Sequence, residues 1–129
     1  MQSNIVLAKL PKLVHWVNRK RAIVSYYNQH LQDVVKTIKF DSRVGQGHYV
    51  YVIQTPRRDE LKQFLDQRGI QTNIHYATTT HLQPAYKKWY TPCPVAECTV
   101  KEILSLPCYY NLTEQECKYI VDSVLEFFK

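Results

Sequence analysis

The stretch Gly69-Ile70-Gln71-Thr72-Asn73-Ile74-His75-Tyr76-Ala77-Thr78-Thr79-Thr80-His81-Leu82-Gln83-Pro84 decides how the rest of the chain is read. Gly69 directly follows a helical pattern, Ile70 to Tyr76 reads as a short strand, and a run of small polar residues leads to a restart at Pro84. Two of the five histidines, His75 and His81, lie in this stretch. A polar connection held between a helix and a strand is a usual place for a binding site, because loops carry function on rigid supports. A plain surface connection with two solvated imidazoles is the alternative that composition leaves open.

Working outward, Leu61, Phe64 and Leu65 form the inward side of a helix from about Arg58 to Gln67, which Gly69 stops in the left-handed conformation. Before it, Tyr49-Val50-Tyr51-Val52-Ile53 is an aromatic and β-branched run expected as a buried strand that Pro56 ends, with a polar turn from Asp41 to Gly47 ahead of it. Earlier still, Leu13, Val17, Val24, Tyr27 and Leu31 recur on one face of a long amphipathic helix expected from about Pro11 to Gln32, with Pro11 in its first turn. Lys20 interrupts that stripe. Downstream, a short helix is expected from Pro84 to Trp89. Pro94 opens another, with Ala96, Val100, Ile103 and Leu104 as its apolar side. Ser105 to Cys108 is expected to be extended, and Pro107 marks a strand end or sheet edge. The last helix carries the clearest start signal: Thr113 with Glu116 forms a capping box, followed by Cys117, Ile120, Val121, Val124 and Phe128 at helical spacing. The expected fold class is α+β, a small domain of about three short strands packed with four to five helices that lie largely on one face, with a long N-terminal helix.

A length of 129 residues allows one domain, and a hydrophobic content of 45% with only three glycines argues for a folded chain without a phosphate-cradling loop. Lys9, Lys12 and His15 break the early apolar positions, so no signal peptide or membrane span is expected and the chain is placed in the cytoplasm. The cysteines Cys93, Cys98, Cys108 and Cys117 form no C-x-x-C pair; they are expected as buried or half-buried reduced thiols, and no metal site is expected. A net charge of +6 raises a nucleic-acid reading, but Arg19-Lys20-Arg21, Arg57-Arg58 and Lys87-Lys88 are short, separated clusters, so solvated faces are favoured and nucleic acid is disfavoured. His15, His30 and His48 are expected as exposed polar positions.

The run Arg58-Asp59-Glu60-Leu61-Lys62-Gln63-Phe64-Leu65, then Arg68-Gly69-Ile70-Gln71-Thr72, Ile74-His75-Tyr76 and His81-Leu82-Gln83-Pro84-Ala85-Tyr86, resembles the carboxy-terminal domain of the DegT/StrS sugar aminotransferases. Pro94-Val95-Ala96-Glu97, Ile103-Leu104-Ser105-Leu106-Pro107 and Leu112-Thr113-Glu114-Gln115-Glu116 continue the pattern in the same order, over most of the chain after Tyr49.

The resemblance implies a single domain, residues 1–129, equivalent to the small domain of a pyridoxal-phosphate enzyme of fold type I, with the large catalytic domain absent. It implies transfer of an amino group, commonly from glutamate, to a keto-sugar nucleotide, in a homodimer or with a separately encoded large domain. By position in the motifs, His75 and Tyr76 match the His-Tyr pair at the edge of the active site, His81 matches the histidine of the His-Leu-Gln-Pro run, and Tyr49 stands where relatives often carry His or Tyr. All four are expected substrate-binding residues. No catalytic residue is assigned. The family's aldimine lysine belongs to a Ser-x-x-x-x-Lys motif and its acidic partner to a Glu-Asp-x-Ala run, and neither occurs here. Pyridoxal 5'-phosphate is therefore expected in the complete enzyme and not covalently on this chain, which alone is expected to be inactive. Ala77-Thr78-Thr79-Thr80 departs from the stiffening residue usual after His-Tyr. Two alternatives stand beside this: a free-standing module that docks a partner, and a basic nucleic-acid-binding protein.

Overall fold

The computed structural model describes residues 2–38 and 46–129. It begins with a 30-residue helix, α1 (Gln2–Leu31), which at about 1.5 Å per residue runs some 45 Å. The helix starts well before Pro11, where sequence placed its beginning. Pro11 sits inside it. The preceding residues Leu7, Ala8, Lys9 and Leu10 are good helix formers with no glycine among them, so the loss of one backbone donor does not end the helix. The apolar stripe of α1 is divided. Ile23, Val24, Tyr27 and Leu31 are buried, whereas every residue from 3 to 15 is exposed.

A three-stranded antiparallel sheet follows in the order β1 (Lys36–Thr37), β2 (Tyr51–Gln54), β3 (Ile103–Leu106). Most of the expected polar turn from Asp41 to Gly47 lies outside the described residues. The number of strands matches the sequence expectation, but their membership differs. Ile70 to Tyr76 is not a strand: it touches the sheet at a single bridge in which Asn73 and Ser105 exchange N–H···O bonds of 3.1 and 2.7 Å. The Asn73 side chain then takes the next amide, that of Ile74, at 2.8 Å, so a ladder cannot continue. β3 begins two residues earlier than expected, because Ile103 and Leu104 pair with Gln54 and Ile53 instead of completing the preceding helix. Tyr49 lies before β2 and is 81% exposed.

Register sorts the residues of the sheet onto its two faces. The pairs Tyr51 with Leu106 and Ile53 with Leu104 point into the core, while Val52 with Ser105 and Gln54 with Ile103 share the opposite face. The core face is covered by α1, α2 (Arg58–Gln67) and α4 (Glu114–Phe127), which contribute Leu61, Leu65, Cys117, Ile120, Val121 and Val124. Two buried phenols cross-link it. Tyr27 donates to the Pro107 carbonyl at 2.9 Å and Tyr51 to Asn28 Oδ1 at 2.7 Å. Burial pushes both phenols well above their ordinary range.

The end of α2 is a Schellman motif. Gly69 at φ 73° turns the chain, its amide bonds Asp66 O at 3.0 Å, and Ile70 N bonds Leu65 O at 2.9 Å before Ile70 itself enters the core. The start of α4 is the expected capping box: Thr113 Oγ1 accepts from Glu116 N at 3.2 Å and Thr113 N donates to Glu116 Oε2 at 2.8 Å. Between them run two 3-10 helices, Thr80–Leu82 and Pro84–Trp89, and then α3 (Pro94–Glu102), none of which has a buried residue. This corrects the reading of the cysteines. Cys93 and Cys98 are exposed because α3 and its approach lie off the core, Cys108 is half-buried, and Cys117 alone is buried. Of the remaining histidines, His15 and His30 are exposed and His48 is half-buried.

Candidate functional site

His75 is built onto the face of the sheet opposite the core. Ile70 and Thr72 are buried and anchor the segment after Gly69, the Asn73 bridge presses it onto β3, and His75 Nδ1 then lies 2.9 Å from Ser105 Oγ. Asn73 Nδ2 stands 3.4 Å from Nε2. The assignment that satisfies both contacts is a neutral ring whose Nδ1–H donates to Ser105. The ring is thus oriented by a strand and not by a loop alone. Neither Asn73 nor Ser105 is singled out by sequence reasoning; Ile70 to Tyr76 reads as a strand, and the pairing of Asn73 with Ser105 is a long-range contact that no local spacing encodes.

His75 and Tyr49 line the same open groove of about 820 Å³, together with Asn73, Ser105, Tyr109 and Tyr119. Tyr76 packs its ring edge-on against His75, centroids 5.6 Å apart, and is 71% exposed. The His75–Tyr76 peptide is cis. His81 is not brought to this groove. Its Nε2 lies 2.9 Å from Glu97 Oε1, and its ring lies against Tyr90 at 5.9 Å. Glu97 also accepts the Cys93 amide at 3.0 Å. That amide, and after it His81, hold the Glu97 carboxyl below the ordinary carboxylate range.

The groove holds no lysine or arginine among its lining residues, and its one carboxylate, Glu116, is engaged by the amide and hydroxyl of Thr113, which hold it below its ordinary range. The amine that would bond pyridoxal phosphate, and the free carboxylate that would face its ring nitrogen, are therefore not supplied here. These residues do not by themselves fit that cofactor, and no chemical step through it follows from them. Among the described residues no cluster of three or more His, Cys, Asp or Glu could hold a metal ion, and no helix is long and apolar enough to cross a membrane. The basic cluster of α1 is committed within the molecule: Arg19 donates to Leu112 O at 2.8 Å, Lys20 to Tyr49 O at 3.4 Å and Arg21 to Gln46 O at 3.4 Å.

Similarity to known proteins extends over nearly the whole chain. It is 34% identical to the pleiotropic regulatory protein of Geobacillus stearothermophilus, over 100% of this chain and 37% of that protein. It is 30% identical to the dTDP-3-amino-3,4,6-trideoxy-alpha-D-glucose transaminase of Streptomyces venezuelae, over 98% of this chain and 35% of the transaminase. Among solved structures, an aminotransferase of Brucella abortus superimposes with a TM-score of 0.91 at 33% identity, covering 95% of this chain and 34% of that one. S. venezuelae DesV, solved with a ketimine intermediate, gives 0.92 at 29% identity, over 97% and 35%. The chain thus spans about a third of the length of the curated relatives it matches. Residues 1–125 match a single family, whose members depend on pyridoxal phosphate, and the chain belongs to that family, the DegT/DnrJ/EryC1/StrS aminotransferases.

Proposed function

We propose that this chain is the carboxy-terminal portion of a pyridoxal-phosphate-dependent aminotransferase acting on keto-sugar nucleotides, in the cytoplasm. The observation that carries the reading is His75, held on Ser105 at 2.9 Å on the face of the sheet opposite the core. Next to it, Tyr76 and Tyr49 expose most of their surface. A neutral imidazole and phenols donate and accept hydrogen bonds, which suits sugar hydroxyls better than it suits a phosphate group. In this reading His75, Tyr76 and Tyr49 meet the sugar, and His81 supports the adjoining loop through Glu97. The lysine and the cofactor belong to the portion of the relatives that this chain does not span. The amino donor and the family's homodimer interface belong to the assembled enzyme, and the isolated chain does not transaminate.

The test is to join these residues behind the lysine-bearing portion of the S. venezuelae transaminase and to assay amino transfer to a dTDP-keto-sugar. The fused enzyme is expected to turn over, with His75→Gln and Tyr76→Phe each raising KM for the sugar nucleotide. An active fusion indifferent to both substitutions refutes the assigned substrate contacts. A second reading, a module that docks a separately encoded partner, is favoured by the exposed apolar half of α1 and is tested by recovering the chain from its source together with a lysine-bearing polypeptide.

A further inference from the structure

Residues 82 to 96 form a surface that the domain does not use for its own stability: each of them is exposed. The segment is nevertheless held in place, because Glu97 grips the loop at both ends, at His81 and at the Cys93 amide. It also carries no negative charge. From residue 67 to residue 96 there is no Asp or Glu, while Lys87 and Lys88 stand together among Tyr86, Trp89 and Tyr90. In the 3-10 helix, where residues three apart share a side, the Tyr86 and Trp89 rings lie 6.2 Å apart. Lys88 Nζ sits 4.0 Å from the Trp89 ring centroid, and Trp89 remains 63% exposed. An ordered aromatic platform flanked by paired ammonium groups has the two features that a nucleotide requires, a π-face for the base and cations for the phosphates.

We infer that Tyr86 and Trp89, with Lys87 and Lys88, form a docking platform for the nucleoside diphosphate half of the sugar nucleotide. The inference rests on the aminotransferase reading only for the sugar attached to that nucleotide. Stacking tolerates different bases, which agrees with relatives whose names carry dTDP, UDP and GDP sugars.

Trp16→Phe leaves Trp89 as the single tryptophan of the full chain, so its fluorescence reports the platform alone. UDP and dTDP are expected to quench it saturably and to a similar extent, inorganic pyrophosphate to compete without quenching, and added salt to weaken both diphosphates. Lys87→Gln combined with Lys88→Gln is expected to raise the half-saturating UDP concentration roughly tenfold, with circular dichroism and melting unchanged because both positions are exposed. UDP quenching no better than uridine, an unchanged half-saturation in the double variant, or loss of binding by His75→Gln instead, would each overturn the inference. An active fused enzyme with an unaltered KM in the double variant sinks the platform and spares the aminotransferase reading. An inactive fusion with UDP binding intact does the reverse.

Discussion

Leu13 and Leu31 occupy one helical stripe of α1, and replacing each with alanine separates the half of the helix that the domain covers from the half that it leaves bare. Leu31 is 0% exposed and belongs to the core cluster, whereas Leu13 is 48% exposed and lies outside it. Truncating a fully buried leucine costs about 2–5 kcal/mol, through lost transfer energy and the cavity that remains. That is a large part of the roughly 5–15 kcal/mol that holds a domain together. Leu13→Ala removes atoms that water already reaches and introduces the better helix former, so its cost is about 0.5 kcal/mol or less. Urea denaturation followed by circular dichroism measures both, at a concentration where sedimentation shows a monomer. Equal losses for the two variants in the monomer would refute the division of α1, because Leu13 would then be covered by the domain itself. In the fused enzyme, Leu13→Ala is expected to become destabilising by about 1–2 kcal/mol, since the same side chain would be removed from water.

Three further outcomes follow from local geometry. Thr113→Ala removes the hydroxyl that accepts Glu116 N and donates to Glu116 Oε2, and should cost about 1 kcal/mol with no change in the denaturant slope; a cost near zero would mean that the cap is not formed in solution. Because the Cys93 amide and His81 lower the Glu97 carboxyl in the folded chain, its stabilisation is complete above the ordinary glutamate range and is lost as pH falls through the lowered value. The Cys93 amide resonance should therefore titrate below the midpoint of a free glutamate, and should not titrate through this carboxyl in Glu97→Gln. A thiol reagent should modify exposed Cys93 and Cys98 quickly but Cys108 and Cys117 slowly, since burial pushes both latter thiols up; four equal rates would contradict the packing of α1 on α4.

Sequence by itself determined the elements whose signals are local. Gly69 ends α2 because a left-handed residue is needed there, Thr113 and Glu116 start α4 because they satisfy each other's amides, and Tyr51 and Ile53 alternate inward because a strand has period two. The ordered motifs from Arg58 to Glu116 were enough to indicate the family. Tertiary structure decided what depends on partners far along the chain. Ile70 to Tyr76 has the composition of a strand, yet becomes a single bridge because Asn73 uses its own side chain on the next amide. Ile103 and Leu104 have helical spacing with Val100, yet join β3 because Gln54 and Ile53 offer them a ladder. His75 and His81 look equivalent in the chain, and only packing separates them: one lies on Ser105, thirty residues away, at the mouth of a groove, and the other on Glu97 beneath an aromatic loop. Short-range periodicity fixes which residues turn inward, but which surfaces meet is set by the whole core closing at once.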